Sequence, residues 1–134
     1  MNEQKEKYSV QVLRECIDLQ NKKSVDYQNS SSSVQQADYY PRGVESIYDI
    51  MNAKMLRIRS ILDAMKSDPE YKPNFEGLID NNKDLINYCT FFASWLAKEI
   101  PGQNERDPFG NPSKHYVSPD VLQSTPDANH ITEQ

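Results

Sequence analysis

Apolar residues recur at helical spacing in three stretches of the chain, whereas the strict alternation typical of a half-buried strand is scarce. The first stretch, about residues 3–22, predicts a helix with two neighbouring apolar stripes. These stripes are Val10, Leu13, Ile17 and Val12, Cys16, Leu19. The polar residues that follow contain four consecutive serines and predict a flexible loop over 28–37, because such a segment cannot bury enough apolar surface to fold.

The second predicted helix, residues 44–66, carries the longest periodic pattern in the chain. Its apolar residues alternate in steps of four and three, which places them on one face. They are Val44, Tyr48, Met51, Met55, Ile58, Leu62 and Met65. We expect this helix to end before Pro69, since proline cannot continue a helix and restricts the residue that precedes it.

The third predicted helix spans residues 74–99 and ends at Pro101-Gly102. The residues that follow the same four/three spacing are Leu78, Asn82, Leu85, Cys89, Phe92 and Leu96, with Ile79, Ile86 and Ala93 alongside. The three segments predict an all-α fold, a three-helix core arranged as an up-down bundle. Because three amphipathic helices leave a bundle incomplete, we expect a second copy of the chain to complete it as a homo-oligomer.

Composition divides the chain into a body and a tail. Residues 1–102 are predicted to form one helical domain, and 103–134 a loosely ordered Pro/Asp-rich tail with a short helical turn near 118–123. The tail holds four of the eight prolines and a charge of −3, so only −2 of the total −5 belongs to the body. An acidic chain is not expected to bind a nucleic-acid polymer strongly.

The cellular compartment is predicted from the signals that the sequence lacks. The longest strongly apolar run, 89–97, is far shorter than the ~20 residues of a membrane span, and the N-terminus shows no apolar leader region. Cys16 and Cys89 lie within apolar helical patterns and not at metal-binding spacing, so both are predicted to be small buried residues of a reducing compartment. These features predict a soluble cytoplasmic protein without a membrane partner.

Two cations lie beside the main apolar stripe of the second helix. Lys54 and Arg57 share a face with Ile47, Ile50 and Ile61. A cation at the edge of an apolar groove needs an anionic partner, and the planar fork of arginine suits phosphate. The alternatives are that both side chains extend to solvent or that they pair with carboxylates of another helix.

The third helix carries the complementary charge. Asp80, Asp84 and Tyr88 recur every four residues and share one face. Carboxylates in this arrangement suit Mg²⁺, which is the candidate cofactor, or cations of the second helix placed opposite. Glu45 and Asp49 form another acidic pair, which the dipole at the start of the second helix explains without a ligand.

Other catalytic patterns are missing from the predicted core. Both histidines, His115 and His130, fall in the tail, which disfavours a nucleophile activated by histidine. No glycine-rich phosphate-binding loop is present, so any hydrolysis would depend on carboxylates or a metal ion. Tyr39 and Tyr40, next to the predicted loop, could stack on a base or simply cover helix ends.

Three short segments resemble the "nucleotide modification associated domain, type one" family over about residues 8–98. Lys23-Ser-Val-Asp26-Tyr27 is similar to its Lys-x-x-Asp-Tyr-Gly signature, with Gln28 in place of the glycine. Residues 47–58 are similar to its Lys-x-x-Arg helix, and 75–88 to its Asp-x-x-x-Asp-Leu-x-Asn-Tyr helix. The serine-rich segment before the second helix is a further departure. The resemblance implies a small all-α protein of bacteriophages and bacteria, encoded beside nucleotide-modifying enzymes and therefore associated with DNA modification.

The resemblance also implies which residues form a site. The predicted ligand-binding residues are Lys23, Asp26, Tyr27, Lys54, Arg57 and Tyr88, and the predicted metal ligands are Asp80 and Asp84. These residues would form a mixed-charge pocket between helices. In it, cations would bind the phosphate, an aromatic ring would stack on the base, and carboxylates would bind the sugar or a metal ion. The charged residues among them could instead close into a structural ion-pair network.

Three functions follow as hypotheses. The first is a (deoxy)nucleotide-binding protein, with Mg²⁺-dependent pyrophosphatase chemistry if it is an enzyme. The second is a non-catalytic protein of phage type that sequesters a nucleotide signal or inhibits a host protein. The third is a helical oligomer that binds a protein partner. No catalytic residue is assigned.

Overall fold

A computed structural model describes residues 5–27, 31–72 and 74–112. The elements in chain order are α1 (Tyr8–Tyr27), a short 3-10 helix (Gln36–Tyr39), α2 (Val44–Ser67) and α3 (Phe75–Leu96). Within these ranges there is no strand, only an isolated bridge between Arg106 and Pro112. The predicted all-α fold with three main helices is confirmed. None of the described helices has the length and apolar character that a membrane crossing requires.

The first helix is displaced relative to its prediction. It begins at Tyr8 and continues to Tyr27, whereas we predicted a helix over residues 3–22. No glycine or proline interrupts residues 23–27, so nothing in the backbone stops the helix there. Of the predicted loop at 28–37, residues 28–30 lie outside the described part of the chain, and Gln36 already begins the 3-10 helix.

The second helix agrees with its prediction to within one residue, but the third ends at Leu96 and not near residue 99. Lys98 adopts a left-handed conformation with φ of 60°. Its N–H donates to Trp95 O at 3.0 Å, and Glu99 N–H donates to Ser94 O at 2.9 Å. This is a Schellman ending, usually made by glycine, which is why the sequence pointed to Pro101-Gly102 instead.

The chain divides into two compact units, Met1–Ser32 with Ile50–Cys89, and Ser33–Asp49 with Thr90–Gln134. In the first unit, Gln20 Nε2 donates to Asn87 Oδ1 at 2.9 Å, and the Cys16 thiol lies 3.8 Å from Lys83 O. Both contacts join residues 67 positions apart, so α1 and α3 run in the same direction. An up-down order of three helices requires this parallel pairing of the first and third.

The second unit has a core centred on Trp95, whose side chain is fully buried together with those of Tyr40, Ile47 and Gln103. The rings of Tyr40 and Trp95 meet edge to face, with centroids 6.4 Å apart. The Gln103 amide donates to Trp95 O at 2.7 Å and accepts from Ile100 N–H at 3.3 Å. These hydrogen bonds satisfy the polar groups that the core encloses.

The tail predicted from residue 103 contains packed residues at its beginning. Trp95 Nε1 donates to Asp107 O at 3.1 Å, and Val44 N–H donates to Pro108 O at 2.9 Å. Gly43 has φ of +58°, and a Cβ at this position would collide with the Pro108 carbonyl, so the approach of this loop to the start of α2 requires glycine. The rest of the predicted tail, with its helical turn near 118–123 and both histidines, lies outside the described residues.

The buried faces of the helices differ from the predicted ones. On α1, Val12 and Cys16 are buried, whereas the neighbouring stripe, which consists of Val10, Leu13 and Ile17, is exposed. On α2, Tyr48 and Met55 of the main stripe are exposed, and Ile47 of the secondary stripe is fully buried. The prediction that Cys89 is buried is wrong, because the residue lies on the exposed side of α3.

Candidate functional site

A carboxylate on α3 is shared by two cations from the other helices of the first unit. Lys23 of α1 places its Nζ 3.5 Å from Asp84 Oδ1, and Lys54 of α2 places its Nζ 3.4 Å from Asp84 Oδ2. We call these three residues the Asp84 cluster. Two ammonium groups and one carboxylate leave a net charge of +1 within it. The structure therefore brings together three of the predicted site residues.

The members of the Asp84 cluster differ in exposure. The side chain of Lys54 is 17% exposed and that of Asp84 is 24%, whereas that of Lys23 is 50% exposed. Both ion pairs are long compared with the 2.7–2.9 Å of a strong charge-assisted hydrogen bond. Pairs of this kind near the surface typically contribute about 0–1 kcal/mol. The cluster is thus held loosely, and its cations retain capacity for another anion.

Arg57 lies one helical turn beyond Lys54, and its side chain is exposed. It makes no hydrogen bond or salt bridge within residues 5–27, 31–72 and 74–112. We predicted that these cations either extend to solvent or pair with a carboxylate of another helix. Lys54 pairs with a carboxylate of α3, and Arg57 extends to solvent. Arg57 thus adds a second positive charge beside the cluster.

The remaining predicted ligand residues surround the cluster less closely. Tyr88 is half-buried and follows Asp84 by one turn of α3, so both lie on one face. Asp26 is exposed in the last turn of α1 and takes part in no ion pair within the described residues. Tyr27 ends α1, and its side chain lies outside what the structure describes.

A groove of about 300 Å³ lies between α1 and α3, beside the Asp84 cluster. It is lined by Glu15, Asp18, Leu19, Lys22, Asp80 and Lys83. We call it the Asp80 groove. Lys83 Nζ and Glu15 Oε1 are 2.7 Å apart and form its shortest ion pair. Asp80, predicted as a metal ligand, therefore lies in a groove of mixed charge.

The ion pair in the groove shifts two pKa values in opposite directions. The hydrogen bond from Lys83, followed by one from Gln11, lowers the pKa of Glu15 below its usual 4.5. The same bond to Glu15 raises the pKa of Lys83 above its usual 10.5. Both residues are therefore charged over a wider pH range than they would be in the unfolded chain.

Sequence reasoning missed a buried amide next to the predicted site. Asn87 is buried, donates to Cys16 O at 3.2 Å and accepts from Gln20 Nε2. Burial raises the pKa of the neighbouring Cys16 thiol, so this thiol stays protonated at neutral pH. The signal was present in the Asn87-Tyr88 pair, since an asparagine amid the apolar residues of a helix is typical of a buried hydrogen-bonding position.

The metal prediction is untested. Within the described residues no group of three or more His, Cys, Asp or Glu side chains is close enough to hold one ion. What the structure places around Asp84 is two ammonium groups, and Asp80 lies one turn away in the groove. The assignment of Mg²⁺ to Asp80 and Asp84 stays a prediction.

No protein-family model, curated protein or solved structure matches this chain. The resemblance to the nucleotide modification associated family therefore continues to rest on the three short segments described above.

Proposed function

We propose that this chain binds a nucleotide through its phosphate groups at the Asp84 cluster, as a small protein associated with nucleotide metabolism or DNA modification in a bacterial or phage setting. The observation that carries the proposal is the excess of cation there. Lys23 and Lys54, from two different helices, converge on one carboxylate, and Arg57 adds a charge one turn away. A phosphate supplies the anion that this arrangement lacks.

Burial supports the choice of Lys54 as the principal phosphate ligand. Its side chain is only 17% exposed, and its attraction to an anion is therefore screened less than that of a fully exposed lysine. Arg57 offers the planar donors that match phosphate oxygens. Tyr88, on the same face of α3 as Asp84, supplies an aromatic ring for stacking on the base.

Binding without turnover is the simpler form of this proposal. The cluster supplies cations, and lysine and arginine hold phosphate without providing a general base. Hydrolysis would require a metal ion, for which Asp80 and Asp84 are the proposed ligands. The sequestering function that we predicted as the alternative needs the binding step only.

The test is a thermal-shift panel with ATP, GTP, CTP, UTP and their 2′-deoxy counterparts dATP, dGTP, dCTP and dUTP, each with and without Mg²⁺. A ligand at about 100 times its Kd stabilises the folded state by about 2.7 kcal/mol, which raises Tm by several degrees. We expect at least one nucleotide to produce such a shift. A flat profile across all eight, in both conditions, would overturn the proposal.

Two lysine variants assign the shift to the cluster. Lys54→Ala is expected to remove most of the stabilisation by nucleotide, because it deletes the ammonium group of the least exposed cluster residue. Lys66→Ala, which deletes an exposed lysine from the last turn of the same helix, is the matched control and should retain it. An assay of pyrophosphate release on the nucleotide that binds separates turnover from sequestration.

A further inference from the structure

The longest periodic pattern of the sequence lies on a face of α2 that the described residues leave largely uncovered. Its apolar positions, in steps of four and three, continue from Val44 to Met65, which is three heptads. Val44 is buried, but Tyr48 is 60% exposed, Met55 is 52% exposed, and the others are half-buried. We call the residues after Val44 the α2 seam, and they are Tyr48, Met51, Met55, Ile58, Leu62 and Met65. A continuous exposed apolar surface of this kind is typical of an association site.

The spacing of the α2 seam fits another helix. Apolar residues that repeat every 3.5 positions over three heptads face a helix that coils around the first one. From Tyr48 to Met65 the helix rises about 26 Å, which is long enough for several layers of paired side chains. The inner flank of α2 is already used within the chain, since Ile47 is fully buried and Lys54 pairs with Asp84. A second copy of this chain carries the same seam and can therefore cover it.

The charges beside the seam disfavour a parallel pair of α2 helices. In a parallel pair, a residue directly before a seam position faces the residue five places later on the other helix. Lys54 would then face Arg59 of the second copy, and symmetry would repeat this contact. Like charges placed opposite each other oppose association.

An antiparallel pair brings apolar residues together in every layer of the seam. The layers pair Tyr48 with Met65, Met51 with Leu62 and Met55 with Ile58, each from opposite copies, and symmetry repeats them. Methionine is unbranched and adapts its shape to irregular gaps, so these layers can pack without a precise fit.

The charges beside the seam favour the antiparallel pair. In this register Glu45, in the first turn of α2, lies opposite Lys66 in the last turn of the second copy, and symmetry repeats the contact. Both residues are exposed. Glu45 also pairs with Arg42 of its own chain at 2.7 Å, and a carboxylate can accept from two cations at once. The ends of the helix are thus complementary to themselves.

We propose that two copies of this chain associate through the α2 seam as an antiparallel, two-fold symmetric dimer. The same residues of both copies form the interface, with the symmetry axis between Met55 and Ile58, so the assembly is closed at two chains. The dimer does not depend on nucleotide binding and is tested separately from it.

The experiment is light scattering on the whole chain during size exclusion, from low to high micromolar concentration. We expect a mass of twice the 15.5 kDa of one chain. The mass of one chain at every concentration overturns the proposal and leaves the seam to a different occupant. A mass of three or more chains overturns it too, because the proposed interface closes at two.

Two matched variants assign the dimer to the α2 seam. Met55→Glu and Ile17→Glu each place a carboxylate at a position that is more than half exposed, on α2 and on the exposed stripe of α1. Met55→Glu should raise the dissociation constant of the dimer by about 100-fold or more, because two carboxylates would be enclosed beside the symmetry axis. Ile17→Glu should leave it unchanged, and circular dichroism should show the same helix content for both. Any other pattern of the two dissociation constants contradicts the proposal.

A charge exchange tests the antiparallel orientation. Lys66→Glu places a like charge opposite Glu45 at both ends of the pair and should weaken the dimer about tenfold. The double variant Lys66→Glu with Glu45→Lys restores opposite charges and should recover the affinity. Lys72→Glu makes the same charge change at an exposed position outside α2 and should have no effect. A double variant as weak as Lys66→Glu alone would show that the antiparallel orientation is wrong.

Discussion

The two units of this chain differ in how they bury apolar surface. Of the eight buried hydrophobic residues in the described part of the chain, six belong to the second unit, although much of what is described of that unit is irregular backbone. The first unit consists mainly of helices, yet among its apolar residues that the structure describes only Val12 and Cys16 are buried. Nine of the 13 exposed large hydrophobic residues within the described ranges also lie in the first unit. Regular secondary structure and a well-packed core are therefore separate properties here.

The difference shows where stability and function are expected. A core of fully buried side chains contributes most of the free energy of unfolding, because apolar surface removed from water is the dominant favourable contribution. The proposed binding residues lie in the less buried unit, where Lys23 and Lys54 approach Asp84 only to 3.5 and 3.4 Å. Regions with few buried apolar contacts are the ones that open locally at low cost, which is common for binding sites.

The variant Trp95→Ala is expected to have the largest effect on stability, and it tests whether the second unit is the more stable one. The variant removes a fully buried aromatic side chain and its hydrogen bond to Asp107 O, so we expect a loss of about 3–5 kcal/mol. Urea denaturation measures it from the shift of the midpoint. Trp95→Phe keeps most of the ring surface and should lose less. If Trp95→Ala costs under 1 kcal/mol, the second unit is not the stable one.

An isoleucine pair compares the two units directly. Ile47→Ala, at a fully buried position, should destabilise the protein by about 2–5 kcal/mol, whereas Ile17→Ala, at a position 58% exposed, should change stability by less than about 0.5 kcal/mol. Equal losses would mean that the exposed stripe of α1 is covered by a second copy. In that case the Tm of the protein would also rise with its concentration.

The Asp84 cluster is expected to contribute less to the free energy of unfolding than the buried residues Trp95 and Ile47. Asp84→Asn leaves Lys23 and the shielded Lys54 without their shared carboxylate, and we expect a loss of about 1 kcal/mol that diminishes with added salt. Asp63→Asn, which breaks the exposed i,i+4 pair with Arg59, is the control and should be close to neutral. A salt-independent loss would show that Asp84 acts through packing and not through charge.

The smallest expected effect is a pH dependence of the free energy of unfolding that comes from the Glu15–Lys83 pair. The lowered pKa of Glu15 gives stability that is present above about pH 4.5 and is lost as pH falls through its folded-state value. The raised pKa of Lys83 gives stability that is complete below about pH 10.5 and is lost as pH rises through its folded-state value. Glu15→Gln should therefore differ from the parent chain most between these limits, measured as free energy of unfolding against pH. A constant difference down to pH 2 would rule this pair out as the cause.

Charged residues of the candidate site were predictable in part. Lys54 and Asp84 lie on helix faces that the sequence pattern already set opposite each other, and the structure pairs them. Lys23 lies beside them because α1 continues past residue 22. No residue type in that segment indicates that the helix continues there. Asp18 and Lys22 in the groove were not predicted, since exposed charges on α1 have no periodic signal that separates a groove from open surface.

The core was less predictable than the helices. Each of α1 and α2 carries two neighbouring apolar stripes, and the sequence does not say which one a neighbouring helix will cover. The structure covers Val12 and Cys16 on α1, and Ile47 on α2, while it exposes Met55 of the more regular stripe. Gln103 lies in a segment that composition classed as tail, yet its amide is fully buried against Trp95.

The amino-acid sequence by itself determined the number, order and approximate limits of the helices, because helical periodicity and proline positions act locally. It also determined which faces carry cations and carboxylates. Only the tertiary structure decided which apolar stripe is buried, where the loop after Trp95 folds back, and that Lys23 and Lys54 share Asp84. These features depend on contacts between residues far apart in the chain, and their free energy comes from excluding water between surfaces that no local pattern brings together.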